Sequence, residues 1–218
     1  YLPILDILKP NNICEIGCDA GNNSVFLSQY CQANQAKLTI VDPTNQTMPA
    51  SDYVELVKDK SIPFFKKNST FYDVYFIDGD HNFQTVYEEL NLIKKLTLID
   101  QDKPVCLLIH DTSWPWAYRD LYYDPEGINI ESDSYTNEKG VSLYSSSPVQ
   151  DGLPNSSYYC SVKEGGEQNG VKKAVEVFLA DNNEFDHCHI LSLFGLSILW
   201  TPGRLSKEQA TFFHNFQS

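Results

Sequence analysis

Ile13-Cys14-Glu15-Ile16-Gly17-Cys18-Asp19-Ala20-Gly21 is the stretch on which the fold turns. An apolar run ends in a glycine turn, and a helical pattern follows at once, with Val25, Phe26, Leu27 and Tyr30 in Asn23 to Cys31. A strand, a tight glycine turn and a helix make the first βα unit of an open α/β sheet, whose ligands bind beyond the carboxyl ends of the strands. Glycine lets the backbone turn sharply there and come close to a ligand. The spacing is E-x-G-x-x-x-G. It is neither the G-x-G-x-x-G that cradles a pyrophosphate nor a glycine loop followed by Lys-Ser/Thr, so it argues against NAD and ATP.

Outward from this unit, strand and helix patterns alternate. Lys37 to Val41 predicts a second strand, stopped by Asp42-Pro43, and Tyr53 to Val57 a third. Ser61 to Lys67 reads as a short helix with Pro63 in its first turn. Tyr72 to Ile77 is β-rich, and Gln84 to Leu98 carries Val86, Tyr87, Leu90 and Ile93 near helical spacing. Val105 to Ile109 is wholly apolar, as a central parallel strand should be. Thr112 to Glu167 loses this periodicity and is rich in Tyr, Ser, Pro, Asp and Gly, which predicts an inserted lid. Gly170 to Asp181 restores a helix, with Asn169 placed to cap it. His187 to Leu193 and Leu196 to Trp200 read as two closing strands, and Ser206 to Phe216 as a terminal helix. The expected architecture is a single α/β domain over residues 1–218: a Rossmann-like, doubly wound, mostly parallel seven-stranded sheet with a lid inserted at 112–167.

The 218 residues suffice for one domain with a large core. At 42% hydrophobic and 21% charged the composition is that of a globular protein. The net charge of -13 repels phosphate backbones, so nucleic acid is not an expected partner. The pairs Lys66-Lys67, Lys94-Lys95 and Lys172-Lys173 read as solvated helix faces. None of the six cysteines forms a CxxC pair, and Cys14, Cys106 and Cys188 lie in apolar strands, which favours free thiols in a reducing compartment. With no apolar run of membrane-spanning length and no visible signal peptide, a cytoplasmic protein without a membrane partner is expected.

Chemistry-bearing residues gather at the predicted strand ends. Asp42 ends the second strand, where a carboxylate can accept both ribose hydroxyls; the plainer alternative is that Asp42-Pro43 only stops the strand. Phe76-Ile77-Asp78-Gly79-Asp80-His81 and Leu107-Leu108-Ile109-His110-Asp111-Thr112 end two further strands, bringing Asp78, Asp80, His81, His110 and Asp111 toward one crevice. Such a cluster suits Mg²⁺ or Mn²⁺, or equally a set of caps and loop hydrogen bonds. A histidine there can take a proton at neutral pH.

The glycine loop, Asp42, Ile77-Asp78-Gly79-Asp80-His81 and His110-Asp111-Thr112 together resemble the class I S-adenosylmethionine (SAM)-dependent methyltransferases, most closely the group of macrolide sugar O-methyltransferases and cephalosporin-hydroxylase-like proteins. Trp114-Pro115-Trp116, Arg119-Asp120-Leu121-Tyr122-Tyr123, Glu164-Gly165-Gly166 and Asn169-Gly170-Val171 resemble bacterial members of that group. The resemblance implies a SAM site formed by Glu15, Ile16, Gly17, Cys18, Asp19 and Gly21, with Asp42 and Pro43 at the ribose. Asp59, Lys60 and Ser61 would lie beside the adenine, and Asp78, Gly79 and His81 near the reacting end. In metal-dependent relatives an acidic residue at the Asp78 position and an acidic pair after the fifth strand hold Mg²⁺. Here that pair is His110-Asp111, so Asp78 and Asp111 are the implied ligands, with His110 as the third or else as the general base in competition with His81.

The expected function is therefore methyl transfer from SAM to a hydroxyl of a sugar or other small metabolite, with Asp78, His81 and His110 as catalytic residues. A homo-oligomer is compatible with this. Trp114, Trp116, Tyr118, Tyr122 and Tyr123 in the lid, with Arg119, are candidate acceptor contacts: aromatic faces for a ring, a guanidinium for an anionic group. Against that, the aromatics can form the lid's own core, and Arg119 can pair with Asp120 or Asp124. The rival readings are a SAM-fold module that binds without turnover and a nucleotide-dependent oxidoreductase.

Overall fold

The computed structural model describes residues 1–44, 51–153, 158–192 and 194–217. Helix α1 (Leu2–Leu8) leads into strand β1 (Asn12–Ile16), helix α2 (Asn22–Asn34) and strand β2 (Lys37–Val41). Then come β3 (Val54–Val57), α3 (Ser61–Lys67), β4 (Val74–Ile77), α4 (Phe83–Thr97) and β5 (Cys106–His110). The insertion carries β6 (Leu121–Tyr122), β7 (Tyr135–Thr136), β8 (Gly140–Ser142), β9 (Ser145–Val149) and β10 (Tyr159–Ser161). Helix α5 (Val171–Ala180), strands β11 (Asp186–Ile190) and β12 (Leu196–Trp200) and helix α6 (Lys207–Gln217) complete the chain.

Seven strands form one sheet in the order β11-β12-β5-β4-β1-β2-β3. The pairs β3–β2, β2–β1, β1–β4 and β4–β5 are parallel, while β12 pairs antiparallel with both β5 and β11. This is the expected doubly wound sheet. Its order reverses between β1 and β4, where Ile16 lies opposite Ile77, so the crevice opens beyond those two residues.

Burial on both faces explains the composition of the central strands. Ile13, Cys14, Val74, Tyr75, Val105, Cys106 and Leu107 are each 0% exposed. Alternate residues of each strand join two separate clusters, one per face: Cys14, Tyr75 and Leu107 in the first, Ile13, Phe76 and Leu108 in the second. Each fully buried aliphatic side chain contributes roughly 1.5–3 kcal/mol by leaving water. Helix α4 starts at Asn82, whose Oδ1 accepts from Thr85 N at 2.9 Å, and buries Val86, Leu90 and Ile93 on one stripe. Helix α5 packs beside it through Ala174, Val175 and Phe178.

Three expectations are revised. The first strand of the closing pair ends at Ile190, and Leu193 lies outside the described residues. Asn169 does not cap α5. Its Oδ1 accepts from Asp120 N at 2.7 Å and its Nδ2 donates to the carbonyls of Lys163 and Gly165, so it staples the insertion's exit, and Gly170 is the cap position. The insertion is not one featureless loop: β6, β10 and β7 form a three-stranded sheet, and β8 and β9 a hairpin.

Candidate functional site

Two loops meet at the reversal of strand order. Gly17 follows β1 at φ 80, and a methyl group on its Cα would lie 2.3 Å from the Asp78 carbonyl oxygen. Only glycine fits, both for the left-handed backbone and for the close approach to the loop after β4. Asp42, at the end of β2, accepts from Cys18 N at 3.0 Å and from Thr44 N at 2.8 Å. Burial works against its charged form, but the Thr44 and Cys18 hydrogen bonds outweigh this and hold its pKa below the ordinary aspartate value.

A cavity of about 540 Å³ opens here. Its floor is Ile16, Gly17, Asp19, Asp42, Pro43, Asp78 and Gly79, with Lys60 and Ser61 on one side. These expected cofactor residues are thus brought together. Glu15, Cys18, Gly21 and His81 stand outside the lining. Glu15, only 1% exposed, faces back into the protein, where its two oxygens accept from Asn23 Nδ2 at 2.7 Å and Ser24 Oγ at 2.6 Å. It braces the first turn of α2, and burial raises its pKa to about 7. Gly21 is the left-handed N-cap of that helix.

Beside the cavity, Asp78, His81, His110 and Asp111 close a ring of four groups. His81 Nε2 lies 2.8 Å from Asp111 Oδ2 and 3.4 Å from Asp78 Oδ1. His110 Nδ1 lies 2.9 Å from that Asp111 oxygen and 3.3 Å from that Asp78 oxygen. Burial lowers the His81 pKa, but hydrogen bonds to Asp111 and Asp78 overcome it and raise it to about 10. Hydrogen bonds to the same two carboxylates raise His110 to about 10. In return both aspartates are held low despite burial, Asp111 at about 2. Both imidazoles are therefore cationic at neutral pH and each is pinned by two anions. Asp111 holds its position at φ 60, a strained setting for a non-glycine residue and of the kind that gathers at functional sites.

The implied Mg²⁺ does not suit this arrangement. Among the described residues Asp78, His81 and Asp111 present ligand atoms within 4.8 Å of one another. Two imidazole nitrogens, however, already face both carboxylate oxygens, and Mg²⁺ takes an octahedron of oxygens that keeps several waters. The two positive charges that would neutralise Asp78 and Asp111 come from His81 and His110 themselves.

The expected acceptor contacts are corrected. Trp116 and Tyr122 are 7% and 4% exposed; Trp116 belongs to the buried cluster on one face of the main sheet, and Trp114 packs against that cluster. The Tyr122 hydroxyl donates to Asp120 Oδ2 at 2.9 Å. Arg119, 2% exposed, donates to the carbonyls of Ser161 and Ser146 at 2.5 Å each and pairs with Glu164 at 3.3 Å, not with Asp120 or Asp124. It is a buried tie for the insertion's strands. The residues that do line the cavity from the insertion are Tyr123, Asp124, Gly127, Ile128 and Tyr158. No periodicity marked them; of the five, Tyr123 is one of the lid aromatics that the sequence singles out. From α4 the cavity also takes Gln84, Thr85 and Glu88.

Sequence reading also missed Glu89. It is 0% exposed on α4, and neither of its oxygens makes a hydrogen bond of ordinary geometry among the described residues. Burial, opposed by the nearby Ser61 hydroxyl, raises its pKa to about 8, so it is a neutral acid at pH 7.

Comparison with known proteins agrees with the fold. The profile of a methyltransferase domain family matches residues 14–112, from β1 to the end of β5. The methyltransferase PaMTH1 of Podospora anserina, solved with S-adenosylhomocysteine (SAH), shares the fold: 14% identity over 90% of this chain and 74% of that one, with a TM-score of 0.52. A protein of Clostridium thermocellum assigned as an rRNA methylase aligns over 92% of this chain and 95% of its own, at 12% identity and a TM-score of 0.50. No relative is found among curated protein sequences. No helix among the described residues is long and apolar enough to cross a membrane.

Proposed function

We propose that this chain is a SAM-dependent methyltransferase that methylates a hydroxyl of a small molecule, a sugar or a comparable metabolite. The carrying observation is the cavity at the β1–β4 reversal, with the Gly17 turn and Asp42 at one side and Asp78 at the other, where it borders the His–Asp ring. The methyltransferase-domain match spans this half of the chain. Asp42 is the residue for the ribose hydroxyls, and Lys60 and Ser61 lie where the adenine belongs. The lining carries Asp19, Asp42, Asp78, Asp80, Glu88 and Asp124 against Lys60, a field that suits a cationic sulfonium and repels polyanions such as nucleic acid.

In the transfer, the acceptor oxygen attacks the sulfonium methyl in line. The carbon–sulfur bond breaks, its electron pair stays on sulfur, and SAH leaves as a neutral thioether. The cavity's main task is alignment. The hydroxyl proton goes to a neutral imidazole. His110, one-third exposed, is the accessible one, whereas His81 is 12% exposed. Asp78 and Asp111 then hold the imidazolium. They make His110 a strong base that must first lose a proton at neutral pH.

That last property favours a second reading, a SAM-binding module without turnover. Titration calorimetry with SAH on wild type and Asp42→Ala tests the cofactor site: micromolar binding that the substitution abolishes supports it, and absence of binding by folded wild type overturns it. Binding without SAM consumption on any hydroxyl acceptor between pH 7 and 10 selects the module.

A further inference from the structure

Resting on the cofactor reading of the cavity, we propose that residues 121–128 of the insertion, with Tyr158, are a cap over the adenosine half of SAM, and that the Lys60–Asp124 ion pair is its releasable edge. The insertion was expected to wall the acceptor. Instead Tyr123, Asp124, Gly127, Ile128 and Tyr158 line the same cavity as Asp42, Lys60 and Ser61, the residues that suit ribose and adenine.

The two rims of this cap are fastened differently. Its inner rim is held by hydrogen bonds at buried positions: the Asp120 side-chain Oδ1 accepts from Phe83 N at 2.7 Å and from Gly170 N at 2.6 Å, and Leu121 N donates to the His81 carbonyl at 3.1 Å. Breaking these strands buried polar groups and is costly. Its outer rim reaches α3 through Lys60 Nζ–Asp124 Oδ2 at 3.0 Å, with side chains 60% and 55% exposed. A bridge so exposed is weak and screened by salt. Asp124 is nonetheless aimed: Gly127 N donates to its Oδ1 at 3.0 Å, and a side chain on Gly127 would collide with that carboxylate, which leaves Oδ2 for Lys60. The cap therefore opens at Lys60 and turns about its Asp120 side.

Tyr123 couples the two ends of the site. Its ring stands edge-on to Tyr158 at 5.1 Å, within the cavity lining, and 6.0 Å from the His81 ring. Closing over the adenosine half thus also places an aromatic face beside the His–Asp ring. SAM enters and SAH leaves only when the outer rim lifts.

The test is the rate of SAH dissociation, followed by stopped-flow fluorescence, for wild type, Lys60→Ala, Asp124→Ala, the double variant and the charge swap Lys60→Asp with Asp124→Lys. An exposed pair of this kind predicts about two- to fivefold faster release in each single variant, no further gain in the double, and recovery in the swap. Raising the salt should speed wild-type release and leave the double variant unchanged. Wild-type release rates in every variant, with SAH still bound, overturn the cap. So does an effect confined to the KM of the acceptor, which would return the insertion to the acceptor side. Failure of wild type to bind SAH at all brings down the cofactor reading, and the cap with it.

Discussion

His81 Nε2 lies 2.8 Å from Asp111 Oδ2, and the aspartate that holds it occupies a left-handed backbone position at φ 60. The same Asp111 oxygen also holds His110 Nδ1 at 2.9 Å, so this aspartate governs the pH behaviour of both imidazoles. With both imidazoles raised to about 10, kcat/KM should climb about tenfold per pH unit from neutrality and level off near pH 10. Asp111→Asn removes a carboxylate shared by both histidines, so the rise should move to lower pH and reach a lower plateau. His110→Ala should cost about 10²- to 10⁴-fold in kcat with SAH affinity kept. A profile that is flat from pH 6 to 9, with His110→Ala as active as wild type, would remove His110 from the chemistry.

Glu89 makes a prediction about stability. Its folded pKa is about 8, above the unfolded value near 4.5, so the folded state holds a proton that the unfolded chain gives up. Stability is therefore greatest below the unfolded pKa and falls as pH rises toward 8. Glu15, at about 7, acts with the same sign. Glu89→Gln should flatten this decline and gain on the order of a few kcal/mol relative to wild type at pH 8. Urea melts of both proteins at pH 5 and pH 8 measure it; parallel shifts in the two proteins would assign the decline to other groups.

Asp120 is the insertion's anchor. Asp120→Ala leaves the amides of Phe83 and Gly170 and the Tyr122 hydroxyl without their acceptor, a loss of roughly 2–4 kcal/mol. The sheet should survive, while residues 123–153 become open to protease. Limited trypsin digestion read by mass spectrometry checks this, and cleavage no faster than in wild type counts against the anchor.

Gly17→Ala should be far more damaging than alanine at Gly165, where a methyl group meets nothing within 4 Å. Both positions have positive φ, so the difference isolates the contact with the Asp78 carbonyl. Thermal melts should show a larger drop for Gly17→Ala together with lost SAH binding. Equal drops would mean that backbone strain alone matters.

Much of the molecule was legible in the sequence because the parallel half obeys local rules. Each central strand is apolar on both faces, each helix repeats at 3.6, and Gly17, Asp42, Asp78 and Asp111 stand at strand ends, where an open sheet puts its chemistry. The insertion escaped because its order is not local. Strands of two and three residues such as β6 and β10 are held by Arg119 and Asn169 through partners tens of residues away. The same polar and aromatic residues that suggest ligand contacts, Arg119, Tyr122 and Trp116, are those needed to build a small core without a long sheet. Helix α1 was missed although it has the same seven-residue length as α3 and a proline in its first turn, as α3 has.

The insertion leaves the sheet and returns to it at one place: Val171 N donates to the Trp116 carbonyl at 2.9 Å, and a side chain on Gly170 would strike the backbone at Ala117 and Arg119. A segment whose two ends are clasped together adds little strain to its host, whatever its length. It behaves as a cassette that can be exchanged at Trp116 and Gly170 if the replacement also covers the core of the sheet where Leu121, Val141 and Cys160 now pack. Transplanting such cassettes between related scaffolds becomes a practical route to altering how long the product is retained without touching the reacting groups.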